Sequence, residues 1–181
     1  MAISTDELIQ RNAKFAAGGT FAGLPFPTNQ TLRVVGCVDS RVDPSHVLGL
    51  DLGEAVVMRN IGGRVTPAVL RSWATLAKLG QARRGSPPPD GPPAGDPPHM
   101  VILHHTDCGI RQLAAYPELL AEFFEIPVAD LDTKMVNDPH APVRIDVDIV
   151  RRTLPAGLLV SGLVYDPDTG LIEVVVSPER A

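Results

Sequence analysis

The sequence predicts an α/β fold with a mainly parallel central sheet, flanking helices and a C-terminal antiparallel edge strand, and three observations carry that prediction. Short runs rich in β-branched residues recur at 31–38, 55–60 and 100–104, the length and composition of buried strands. Between them, Asp43-Pro44 and Thr66-Pro67 each pair a capping side chain with a proline at the first helical position, so helices separate the strands. The last two apolar runs, GLLVSGLVYD and LIEVVV, are joined only by the turn DPDTG, which makes them a hairpin. Alternating strands and helices favour parallel pairing, and the hairpin adds the antiparallel edge.

The elements follow in order. Ser4 with Glu7 forms a capping box, and Leu8, Ile9, Ala13 and Phe15 give a loose apolar stripe, so an N-terminal helical arm is expected over about 4–17. TLRVVGCV at 31–38 is the first strand, ending where CVDSR begins, and a short helix runs from Pro44 to about Leu48. AVVMRN at 55–60 is the second strand. After Thr66-Pro67, Val69, Trp73, Leu76 and Leu79 fall near helical spacing, which ends a helix near Gly80 and puts Trp73 in the core. The stretch 85–98, GSPPPDGPPAGDPP, holds too much proline and glycine for a helix or a central strand and reads as an exposed loop. MVILH at 100–104 is the third strand and leads directly into HTDCG. Helical segments are expected through the 110s and 120s and again from about Pro142 to Leu154.

With 181 residues, 44% of them hydrophobic, the chain is long enough for one domain with a sizeable core, and a single domain over 1–181 is expected. The net charge is -5 and no stretch concentrates Lys or Arg, which argues against nucleic-acid or anionic-membrane partners and for a small-molecule one. The first residues carry acidic groups where a secretory signal needs a basic start and an unbroken apolar core, and no run approaches transmembrane length, so a cytoplasmic protein is expected.

Cys37 and Cys108 are the two cysteines. Two unrelated buried thiols or one long-range disulfide are the plain readings, and a metal site or catalysis the alternative in a reducing compartment. Cys108 lies three residues after His105 at the end of the third strand, and Cys37 stands at the end of the first, so the two segments can meet. Two thiolates and an imidazole favour zinc over magnesium or calcium, and three protein ligands leave a fourth position free. Asp39 competes for that position, because in an extended segment it points to the same side as Cys37, as does Arg41. A bidentate hold by Arg41 can draw Asp39 aside, so that a water can bind and lose a proton with the carboxylate orienting it. Thiolate donation makes such water less acidic than in an all-histidine site, so activity is expected to rise toward alkaline pH. His104 points away from His105 by strand alternation and reads as a packed or solvent-facing group, while His46, His99 and His140 read as surface groups. Asp107 is expected on its own turn's backbone, Asp43 as a helix cap, and Arg59 with Asn60 as braces of the site or a subunit interface.

C-V-D-S-R at 37–41 and H-T-D-C-G at 105–109, with GEAVVMRNIGG between them, resemble the beta-carbonic anhydrase family over about 31–109. The short chain and the lack of an aromatic substrate-pocket segment make it similar to the compact bacterial branch. The resemblance implies reversible hydration of carbon dioxide to bicarbonate, with one zinc per chain on Cys37, His105 and Cys108 and with Asp39 and Arg41 as the catalytic dyad. It implies that Asp39 can also bind zinc to close the site, and that the Gly109 N–H helps hold the substrate oxygen. It further implies a homodimer or homotetramer in which the N-terminal helix embraces a neighbour. Two other functions fit the same motif: hydrolysis of carbon disulfide or carbonyl sulfide, and an inactive zinc-binding module.

Overall fold

The structure, a computed structural model, describes residues 2–24, 32–84, 97–154 and 156–180, so the predicted loop lies outside the described residues over 85–96. The strands are β1 (Leu32–Cys37), β2 (Ala55–Asn60), β3 (His99–His105), β4 (Leu159–Asp166) and β5 (Leu171–Arg180). They form one sheet in the order β2-β1-β3-β4-β5. The first three pairings are parallel and β4 with β5 is antiparallel, as the strand–helix alternation and terminal hairpin predicted. β3 is the central strand with β1 beside it, and their near-continuous apolar runs are buried on both faces.

Helices α1 (Thr5–Ala17), α2 (Pro44–Val47), α3 (Pro67–Arg84), α4 (Pro117–Phe124) and α5 (His140–Thr153) complete the chain together with short 3-10 segments. Ser4 caps α1 by accepting from the Glu7 N–H at 3.2 Å, and Asp43 caps α2 by accepting from the Ser45 N–H at 2.9 Å. α1 buries none of its residues, and Leu8, Ile9 and Phe15 all lie exposed. The predicted helical stretch after Cys108 is broken into a 3-10 helix at Gly109–Ala115, then α4, then a second 3-10 helix at Val128–Lys134. Pro117 at the start of α4 restarts the winding, and Pro127 after it excludes a longer α-helix.

Strand alternation divides the core. Val35, Met100, Ile102 and Val160 pack with Trp73 of α3 and with Val143, Val147 and Val150 of α5 on one face. Val34, Val101 and Leu103 pack against Val47, Leu48 and Leu50 on the other. Parallel register puts Gly36 beside Leu103, so the carboxyl ends of β1 and β3 are neighbours. Cys37 closes one of these strands and His105 the other, which locates the site at the carboxyl edge of the sheet.

Candidate metal centre

Cys37, His105 and Cys108 offer donor atoms that lie within 4.8 Å of one another. The sulfurs are 3.8 Å apart, too far for a disulfide, and both cysteines are free. That spacing matches two thiolates on one tetrahedral zinc, for which bonds of about 2.3 Å give a separation of about 3.8 Å. Nδ1 of His105 lies 2.7 Å from the Thr106 carbonyl, which fixes the proton there and leaves Nε2 as the free lone pair. Nε2 is buried with no hydrogen-bond partner among the described residues, the state of an atom reserved for a metal. The hydrogen bond from Cys108 pushes the Cys37 thiol down to about 4 against the opposing effect of burial. The same bond and burial push Cys108 up, so the pair holds one proton between two sulfurs. A soft divalent cation would displace it.

Asp39 follows Cys37 by two residues, and its N–H reaches the Cys37 sulfur at 3.5 Å. Its carboxylate is turned onto Arg41: Nη2 donates to Oδ2 at 2.7 Å, Nε to Oδ1 at 3.1 Å, and the Arg41 backbone N–H to Oδ1 at 2.9 Å. These bonds, the side-chain ones foremost, hold the Asp39 carboxyl down to about 2. Arg41 also reaches the other ligand segment, donating from Nη1 to Asp107 Oδ2 at 3.0 Å and from Nη2 to the Asp107 carbonyl at 3.1 Å. The Asp107 carboxylate thus serves Arg41, not its own turn, in a backbone with φ of 52°. One guanidinium therefore ties the two segments that carry the cysteines.

Further braces come from the strands. Arg59 on β2 donates to the carbonyls of Cys37 and Asp39, both at 2.8 Å, and to Asp43 Oδ2 at 2.7 Å, so it fixes the turn after β1 as its expected bracing role required. Gly63 passes between β1 and β3 with φ of +65°, where an added Cβ would fall 2.9 Å from the Leu103 carbonyl and 3.0 Å from the Cys37 nitrogen. The space over Gly109 is open.

Period-2 alternation puts His104 on the α5 face with Met100 and Ile102, as expected of a packed group. There Nε2 lies 3.2 Å from Asp146 Oδ2, and Asp146 also accepts from Arg64 Nε at 2.7 Å and from the Val65 N–H at 3.0 Å. The Arg64–Asp146 pair is fully buried, and no local sequence signal reveals it, because Asp146 sits in an otherwise apolar helical stripe. Of the histidines read as surface groups, His46 is exposed but His99 is half-buried, with Nε2 2.8 Å from Ser161 Oγ. His140 is half-buried as well and lies between two carboxylates.

The carbonic anhydrase family model matches residues 32–85, which include Cys37, Asp39 and Arg41. Beta-carbonic anhydrase 1 of Mycobacterium tuberculosis is 36% identical over 107 residues, 59% of this chain and 55% of that protein. Carbon disulfide hydrolase of Acidithiobacillus thiooxidans is 27% identical over 134 residues, 73% of this chain and 54% of that protein. The chain thus spans about half the length of these two curated relatives. A carbonic anhydrase structure from Streptococcus mutans superposes with a TM-score of 0.69 at 31% identity, covering 97% of this chain and 99% of that one.

Proposed function

The chain belongs to the beta-carbonic anhydrase family, and from that premise we propose that it catalyses the reversible hydration of carbon dioxide to bicarbonate and a proton. Cys37, His105 and Cys108 would hold one zinc per chain. Zinc would supply a Lewis acid that makes water nucleophilic near neutral pH. The observation that carries this reading is the position of Asp39: three donor atoms converge while the Asp39 carboxylate, two residues after Cys37, is held on Arg41. A purely structural zinc site would use that carboxylate as its fourth ligand.

In this mechanism Asp39 stays ionised, since Arg41 holds its carboxyl down to about 2, and it orients the attacking water by accepting a hydrogen bond. Arg41 keeps Asp39 off the metal position and, through Asp107, fixes its distance from the Cys108 segment. No side chain crowds Gly109, and its N–H would donate to the substrate oxygen. The exposed apolar residues of α1 support a homodimer or homotetramer in which a second copy covers the helix.

The similarity to a carbon disulfide hydrolase supports a second reading on the same ligands. The cavity beside the centre is lined by Arg111 and His140 and also by Ile110, Val136, Pro139 and Pro142, so both readings fit it and the assay decides between them. Stopped-flow hydration across pH, with zinc quantified on the same sample, tests the leading reading. We expect stoichiometric zinc and a rate that climbs toward alkaline pH. Stoichiometric zinc with no hydration at any pH would refute it, and sulfide release from carbon disulfide would then favour the second reading.

A further inference from the structure

A cavity of about 280 Å³ borders the candidate metal centre, and its lining includes His105 and Cys108 together with His140. His140 opens α5, 41% exposed, with Nδ1 3.0 Å from Asp138 Oδ1 and Nε2 3.0 Å from Glu173 Oε2. Asp138 precedes α5 and Glu173 projects from β5, so a carboxylate faces each ring nitrogen. The other charged or titratable side chains in the lining have different partners or different work. Arg64 and His104 are buried against Asp146, and Asp107 is bound to Arg41. Arg111 offers hydrogen-bond donors and no acceptor.

Each carbon dioxide hydrated yields one bicarbonate and one proton, and turnover requires a base to remove that proton. We propose that His140 is the proton-transfer residue of this site, taking up the proton through water in the cavity and handing it to buffer. The inference rests on the hydratase reading. A lone pair on one ring nitrogen accepts the proton when its carboxylate swings away, and the imidazolium later releases it to a buffer base, so no electrons are exchanged. Asp138 and Glu173 can make that movement, being 67% and 63% exposed. The hydrogen bonds that the ring donates to Glu173 and then to Asp138 raise the pKa of His140 above its ordinary value, which suits a base that serves a site working at alkaline pH. A cavity of this size accommodates several waters.

The test uses the full-length zinc-loaded protein and its His140→Ala variant in stopped-flow hydration at low and high buffer concentration. In low buffer kcat should fall about 10-fold or more, while kcat/KM, which does not include proton release to solvent, stays within about twofold. Added imidazole should restore kcat. Independently of activity, the NMR titration midpoint of the His140 ring should fall in Glu173→Gln by at least about half a pH unit.

Equal kcat for wild type and His140→Ala in low buffer would overturn the proposal. So would kcat and kcat/KM falling together without imidazole rescue, the pattern of structural damage. A ring titration indifferent to Glu173→Gln would also count against it. If the wild type hydrates no carbon dioxide, the hydratase reading fails and this proposal with it, an outcome distinct from a defect confined to the variant.

Discussion

Replacing Asp146 with alanine should be among the most damaging single changes in this protein. The carboxylate is fully buried and accepts from Arg64 Nε at 2.7 Å, Arg64 Nη2 at 3.3 Å and the Val65 N–H at 3.0 Å, with His104 Nε2 at 3.2 Å. Asp146→Ala would strand a guanidinium and a backbone donor in the core, and breaking a buried pair from one side costs about 3–5 kcal/mol. The lost bonds share one carboxylate, so their separate costs do not add. For a chain of this size the loss lowers Tm by roughly 6–20 °C. Urea unfolding at fixed protein and zinc concentration measures it, and the apolar pair Arg64→Met with Asp146→Leu should recover most of the stability. Burial alone would push the Asp146 carboxyl up, but the hydrogen bond from His104 and the charge of Arg64 prevail, so it lies below its unfolded value. Its contribution is therefore present above the unfolded pKa of about 3.9 and is lost as pH falls through the lower folded value. Asp146→Asn should flatten this acid limb. A loss under about 1 kcal/mol in Asp146→Ala, or a double variant no more stable than the single, would refute the reasoning.

Asp39→Asn keeps the side-chain shape and removes the charge, so kcat/KM should fall about 10²–10⁴-fold while zinc content stays at one per chain, as read by stopped flow and metal analysis. Arg41→Ala removes the main cause of Asp39's low pKa, and carboxyl NMR should find the Asp39 titration moved up from about 2 toward about 3.9. An unmoved titration would mean that Arg41 does not hold it. Gly63→Ala forces a side chain into a backbone with φ of +65° and against the Leu103 carbonyl and Cys37 nitrogen, which cannot give way. The expected destabilisation is roughly 2–5 kcal/mol by urea unfolding, from left-handed strain plus overpacking.

Signals that act over a few residues read correctly from the chain. The cap at Asp43, the proline starts of α2 and α3, the short β-branched runs and the terminal hairpin all rest on local sterics and burial, and each formed within a few residues of its expected bounds. Where local signals conflicted, the reading lost detail. The stretch after Cys108 carries helical residues interrupted by Pro117 and Pro127, and it winds as two 3-10 segments around one short α-helix. His99 reads as a surface residue because no partner stands near it in sequence, yet the parallel pairing of β3 with β4 covers it and gives it Ser161 as a partner.

The amino-acid sequence by itself determined the alternation of strands and helices and the two short segments that carry Cys37, Asp39, Arg41, His105 and Cys108. Tertiary structure alone decided what those side chains touch. Parallel register brings the ends of β1 and β3 together, and only then can Arg41 choose between Asp39 beside it and Asp107 across 66 residues, and take both. Arg64 finds Asp146 across 82 residues and His140 finds Glu173 across 33. Such partnerships depend on strand register and helix docking, which the long-range packing of apolar faces fixes, and no local pattern in the chain encodes them.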